Sequence, residues 1–202
     1  MPAPNNRLEQ MLRQGFRLFN RFMLLLWRLG LGPWLSVVPA LTGRYLVITH
    51  TGRKSGLRRR TPLNYAQVGG TVYVTAGFGA ISDWYRNIQA NPLIEIWLPG
   101  GRWTAWAEEL PDDHPERLVL LREVIKGSGF VAPLMGLNPY AMSDAAFTRA
   151  TAPYRLIAIT PHEALHGSGG PGDLVWLWPL AGIAALAVGM LRSAQNHYRK
   201  TT

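Results

Sequence analysis

The residues from Thr49 to Leu63 read Thr49-His50-Thr51-Gly52-Arg53-Lys54-Ser55-Gly56-Leu57-Arg58-Arg59-Arg60-Thr61-Pro62-Leu63, with five cations between positions 53 and 60. Gly52 and Gly56 allow a tight backbone turn whose N–H groups can face an anion. Ser55 adds a hydroxyl, and the cations add charge-assisted hydrogen bonds. The chemistry this spacing suits is the grip of a phosphate or carboxylate. It is not a Walker A loop, because no glycine precedes Lys54 and a strand is expected next. Gly77-Phe78-Gly79 opens like a dinucleotide fingerprint, but Ser82 occupies the third glycine position and no βαβ unit surrounds it. His162-Glu163-Ala164-Leu165-His166 spells a zinc-protease motif, yet glycines follow at once, no glutamate follows Glu163 as a third ligand and His197 lies beyond the apolar tail, so no metal is expected.

Two segments in this order, Gly52-Arg53-Lys54-Ser55-Gly56 with Arg59 and Pro62-Leu63, then Asp83-Trp84-Tyr85-Arg86-Asn87-Ile88 with Ala90-Asn91-Pro92, resemble the paired signatures of the deazaflavin-dependent nitroreductases and quinone reductases. These are split-barrel proteins using coenzyme F-420. The resemblance covers roughly Tyr45 to Pro161. It implies that Arg53, Lys54, Ser55, Gly56 and Arg59 hold the phosphate and glutamyl tail of the coenzyme. It implies that Pro62, Ala76, Gly77, Phe78 and Gly79 border the deazaflavin ring. Asn64, Phe78 and Tyr140 fall where relatives shape the substrate pocket, Tyr140 in the stretch where they place catalytic tyrosines. Some relatives carry tyrosine where this chain has Asn64, and serine-lysine where it has Gly77-Phe78, which leaves the acceptor open.

The elements that must position these residues are legible in the pattern. Strands are expected at Arg44–His50, Arg60–Ala66, Thr71–Ala76, Leu93–Leu98, Arg102–Glu109 and Arg155–Thr160, joined in part by Gly69-Gly70 and Gly100-Gly101 hairpins, which makes a mainly antiparallel barrel of about six strands. Ser82 is placed to cap a short helix through Gln89, ended by Asn91-Pro92, and a second helix fits Pro115–Lys126. Trp84 is expected to pack the first of these onto the barrel.

Outside the barrel, Leu8, Met11, Leu12, Phe16, Phe19, Phe22, Met23 and Leu26 recur at helical spacing, with Arg13, Arg17 and Arg21 on another face. A helix in a lipid interface and one packed on the domain share that pattern, and both readings stand at this point. Breakers at Gly30, Gly32, Pro33 and Pro39 end it. The short apolar run Phe22–Trp27 is interrupted by Arg28 with no small-residue cleavage site, so no signal peptide is read. Gly167–Gly172 reads as a flexible linker. Leu174–Leu191 follows without a charge, 18 residues and about 27 Å as a helix, marginal for a bilayer, with Trp176, Trp178 and Tyr198 near its ends and Arg192, Arg199 and Lys200 beyond.

Composition narrows the classes. Of 202 residues 48% are hydrophobic and 16% charged, which argues for one packed domain with appendages. The formal charge of +9 calls for anionic partners. The absence of cysteine removes disulfides, thiolate catalysis, iron–sulfur clusters and cysteine-ligated zinc.

The expectation is therefore an α+β protein. Residues 1–41 form an amphipathic helical segment and 42–166 a split-barrel coenzyme domain with peripheral helices. Residues 167–173 are a linker, and 174–202 an apolar C-terminal helix that either spans or lies on a membrane. The resemblance implies hydride transfer from reduced F-420 to a quinone, nitro compound or activated double bond, and the basic amphipathic and apolar ends of the chain add the expectation of a place at the cytoplasmic side of the cell membrane. Lipid is an expected partner, nucleic acid is not, and self-association stays open. Two alternatives remain: a barrel binding flavin mononucleotide or haem, and a basic membrane-binding module without turnover.

Overall fold

In a computed structural model, which describes residues 6–35 and 43–201, six strands close into a barrel in the order β1-β2-β3-β6-β5-β4, every neighbouring pair antiparallel. The strands are β1 (Tyr45–Thr51), β2 (Arg58–Val68), β3 (Thr71–Ala76), β4 (Leu93–Leu98), β5 (Gly101–Glu109) and β6 (Arg155–Ala164). β3 and β4 coincide with expectation. β6 runs four residues further, through His162 and Glu163, so the protease-like motif begins on an exposed strand rather than on a helix. At the β2–β3 hairpin, Gly69 and Gly70 hold φ of 57° and 86°, the pair of positive angles that a two-residue turn of type I′ demands.

The strand pattern explains the closure. β3 alternates half-buried and buried along its length, and Val72 and Val74 point into the barrel with Leu46, Ile48, Ile94, Ile96, Ile157 and Ile159. Helix α3 (Asp83–Ala90) inserts Tyr85 and Ile88 into this core, and Trp84 packs against it. Ser82 stands at the N-cap of α3, but its side chain makes no capping bond. A second cluster lies outside the barrel. There α4 (Arg117–Lys126), α5 (Val131–Leu134) and α6 (Asp144–Thr151) bury Leu121, Val124, Ala132 and Phe147 against Ala66 and Leu156. The short α5 and α6 were not expected from sequence. The Ser143 hydroxyl accepts from Ala146 N–H at 3.3 Å at the start of α6, a cap readable only once the helix is known.

Helix α1 (Asn6–Arg28) packs on the barrel through its second half. Trp27 is fully buried against Val47 and Trp97, and Met23 is 3% exposed. Leu18, Phe22 and Leu25 point outward instead, so Phe22 leaves the face expected for it. The side chains of Leu8, Met11, Leu12, Arg13, Phe16 and Arg17, and Pro39 after the short α2 (Gly32–Leu35), lie outside the described residues.

The glycine-rich stretch does not stand apart from the body as a linker should. Arg60 donates to Gly169 O at 3.0 Å, and Arg102 to Ser168 O and His166 O at 3.3 and 3.2 Å. Gly172 N–H and Leu174 N–H then donate to the Trp27 and Arg28 carbonyls, satisfying acceptors at the end of α1. Helix α7 (Leu177–Thr201) follows, with the side chains of Tyr198, Arg199 and Lys200 outside the described residues. Among the described residues no helix is long and apolar enough to cross a membrane.

Candidate coenzyme site

The loop between β1 and β2, residues 52–57, is closed on itself. Gly52 N–H donates to Leu57 O at 2.9 Å, while Ser55 and Gly56 N–H both donate to Gly52 O. Gly52 is buried beneath it, and a Cβ there would meet Ser55 Oγ at 2.8 Å and Arg59 Nε at 2.9 Å. Any larger residue would therefore push apart the hydroxyl and guanidinium that the sequence nominated together. Arg59 lies beside that hydroxyl, at 3.5 Å.

The two motifs meet in space. Arg53 Nη1 donates to Asn87 Oδ1 at 3.0 Å and to Asp83 Oδ1 at 3.2 Å, and Arg53 N–H donates to Asn87 Oδ1 at 3.1 Å. Asp83 is 84% exposed, so the ion pair itself contributes only about 0–1 kcal/mol. The bonds to Asn87, which is buried, matter more. Behind Asn87 stands His50, 4% exposed, with Nδ1 at 3.1 Å from Asn87 Nδ2 and Nε2 at 3.0 Å from Thr61 Oγ1. Burial, assisted by the nearby Arg59 charge, pushes the His50 pKa down to about 4, so the ring is neutral at physiological pH. Neither His50 nor Asn87 was singled out from sequence. A histidine two residues before a Gly-Arg-Lys loop is the one signal that pointed there.

Beside this network opens a cavity of about 750 Å³. Its polar lining includes Lys54, Ser55, Arg59, Thr61 and Asp83, and its apolar lining Phe19 of α1, Val131, Met135 and Leu137, with Tyr154. Of the expected coenzyme residues, Arg53, Lys54, Ser55, Arg59, Pro62, Gly77 and Phe78 line it, as does Asn64 from the expected substrate pocket. Gly56, Ala76 and Gly79 are not among the lining residues. Gly56 sits on the exposed outside of the loop, Ala76 is buried in the barrel, and Gly79 is packed so that a Cβ would lie 2.6 Å from the Pro153 carbonyl at φ +62°. Its glycine answers a backbone contact within the fold. Tyr140 is also absent from the lining; it is 75% exposed, with Lys126 Nζ 5.8 Å from its ring. Tyr154 is the tyrosine beside Gly77. A Cβ on that glycine would lie 3.8 Å from its hydroxyl oxygen, and burial raises its pKa. Asn64 donates to Arg44 O and Gly127 O, both at 3.3 Å, so its amide also ties β2 to the end of α4.

Phosphate and carboxylates fit the donor set of Lys54, Ser55 and Arg59, and the volume falls within the ~300–1,000 Å³ usual for small-ligand and cofactor pockets. Residues 35–126 match the family model described as F-420H(2)-dependent quinone reductase, which bears out the resemblance read from the two motifs, both inside that stretch. Among solved structures, the chain is similar to an F-420-H2-dependent reductase at 23% identity and TM-score 0.41, covering 57% of this chain and 93% of that one. It is similar to a putative 5-nitroimidazole antibiotic resistance protein from Bacteroides thetaiotaomicron at 13% identity and TM-score 0.44, covering 60% and 74%. A conserved hypothetical protein from Mycobacterium tuberculosis is similar at 16% identity and TM-score 0.43, covering 67% and 91%.

Proposed function

We propose that the protein is an F-420-dependent oxidoreductase that passes a hydride to a lipophilic quinone. The observation that carries this reading is one cavity lined both by a cationic loop and by apolar side chains, built where the two motifs meet. Lys54, Ser55 and Arg59 would bind the phosphate and glutamyl tail, with Arg53 held beside them by α3. Pro62, Gly77 and Phe78 would border the ring. When bound, the reduced deazaflavin supplies a hydride from carbon 5 of its ring. The apolar wall of Phe19, Val131, Met135 and Leu137 would exclude water and hold the acceptor close to the ring, which is the protein's contribution when the coenzyme carries the difficult chemistry. Tyr154 remains protonated at neutral pH and is the tyrosine placed to hold a hydrogen toward the acceptor oxygen.

The same reading puts the protein at the cytoplasmic face of a membrane, lying on it. Leu18, Phe22, Leu25, Trp34, Trp176 and Trp178 are all exposed, on α1, α2 and the segment docked to them, in a chain of charge +9. Exposed tryptophans on a chain of net positive charge suit an anionic interface, where quinones dissolve.

Side-by-side titration with oxidised F-420, flavin mononucleotide and nicotinamide nucleotides tests the coenzyme. Stopped-flow absorbance of the deazaflavin band, with menaquinone analogues, nitroaromatics and enones, tests the acceptor. Oxidation of reduced F-420 by the quinone, far faster than oxidation of NADPH, is expected. Binding of F-420 with no oxidation by any acceptor would leave a carrier or sensor, and flavin binding without F-420 binding would overturn the coenzyme assignment.

A further inference from the structure

We infer that Asn87 is a positioning residue whose carboxamide couples the buried His50 ring to the Arg53 end of the cationic loop, and so sets where Lys54 and Arg59 stand toward an anionic ligand. This rests on the coenzyme reading above. Asn87 is 3% exposed and spends both ends of its amide. Oδ1 faces two donors, the Arg53 N–H and Nη1, so Nδ2 must face His50. His50 Nδ1 is therefore an acceptor, and the proton of the neutral ring sits on Nε2, donated to Thr61 Oγ1. The chain of contacts runs from β2 through the ring and the amide into the main chain of the loop.

Two features give Asn87 more than a packing role. One of its bonds holds a backbone N–H of the loop, which fixes the loop itself and not merely one side chain. Arg53 is also folded back onto α3 by Asp83 and Asn87, whereas Lys54 of the loop and Arg59 of β2 line the cavity without an ion pair among the described residues. Lys54 is exposed and makes no ion pair among the described residues. The charged groups around the His50 ring are Arg59 from β2 and, beyond Asn87, the Arg53–Asp83 pair.

Asn87→Asp tests this, because the carboxylate keeps the shape of the amide and can still accept from Arg53. It can no longer donate to His50 Nδ1, so the ring must shift its proton to Nδ1 or take a second one. The added negative charge repels an anionic ligand until His50 becomes imidazolium and cancels it. F-420 affinity is measured for variant and wild type from pH 5.5 to 8.5 and expressed as their ratio, which removes the coenzyme's own ionisation. The ratio should worsen by about tenfold across that range, with a midpoint matching the His50 ring titration seen by NMR. Adding His50→Gln should flatten the ratio. Asn87→Ala should weaken F-420 binding about tenfold or more at pH 7.5. A flat ratio in Asn87→Asp together with near-wild-type affinity in Asn87→Ala overturns the inference while leaving the coenzyme reading intact. Failure of the wild type to bind F-420 overturns both.

Discussion

Arg28 and Asp173, 145 positions apart in sequence, form an ion pair of 2.9 Å that fastens the C-terminal segment to the end of helix α1. Trp178 Nε1 donates to Leu29 O at 3.0 Å beside it, and Gly172 and Leu174 cap the helix carbonyls. The tail is thus part of the packing that holds α1 over the cavity.

Deletion from Gly167 onward should leave the barrel folded but lower the melting temperature. The lost backbone caps and ion pair sum to about 2 kcal/mol, or roughly 4–8 °C for a chain of this size. Asp173→Ala alone should cost about 1 kcal/mol or less, since the pair is partly solvated. Circular dichroism melts compare the three proteins, and an unchanged midpoint in the truncation would show that the docking contributes nothing.

Trp27 is the anchor of α1, fully buried, with an indole N–H that has no hydrogen-bond partner among the described residues. Trp27→Ala should destabilise by about 3–5 kcal/mol, and Trp27→Phe by much less, because phenylalanine keeps most of the apolar contact and removes the unpaired donor. Urea titration reads both. Equal losses in the two variants would place the energy in the full indole shape, which phenylalanine cannot fill, rather than in apolar contact as such.

Lys54→Ala and Arg59→Ala should each weaken coenzyme binding by about tenfold, from roughly 1.5–3 kcal/mol per charge-assisted bond, and added salt should mimic them. Arg53→Ala should also weaken it, but through the loop. A cycle with Asp83→Ala should therefore show non-additivity for Arg53 and additivity for Lys54. Calorimetric affinities that match wild type in all three single variants would make these cations ordinary surface charge.

His50 gives a pH signature for stability. Its pKa is about 4 folded and near 6.5 unfolded, so the unfolded chain binds more protons between those values. Its contribution is whole above about pH 6.5 and is lost as pH falls toward 4, up to about 3 kcal/mol. His50→Gln should flatten that part of the urea-stability profile between pH 4.5 and 7. A variant slope as steep as wild type would assign the acid loss to other groups.

Much of this protein was written locally. The alternation of apolar residues and the paired glycines determined six antiparallel strands, because period-two burial and positive φ are properties of short stretches of chain. The run Gly52-Arg53-Lys54-Ser55-Gly56 with Arg59 announced an anion clasp for the same reason, since its cations and turn residues are neighbours in sequence. Tertiary structure alone decided what depends on distant partners. It brought Asn87 between Arg53 and His50, which share no periodicity, and bonded the Arg53 guanidinium to Asp83 and Asn87 at the cavity wall. It set Tyr154 rather than Tyr140 on the cavity wall. It also docked the second half of α1 and the glycine-rich stretch onto the body, which hydrophobic pattern and composition could not foretell, because the docked stretch is held largely through backbone groups every residue possesses.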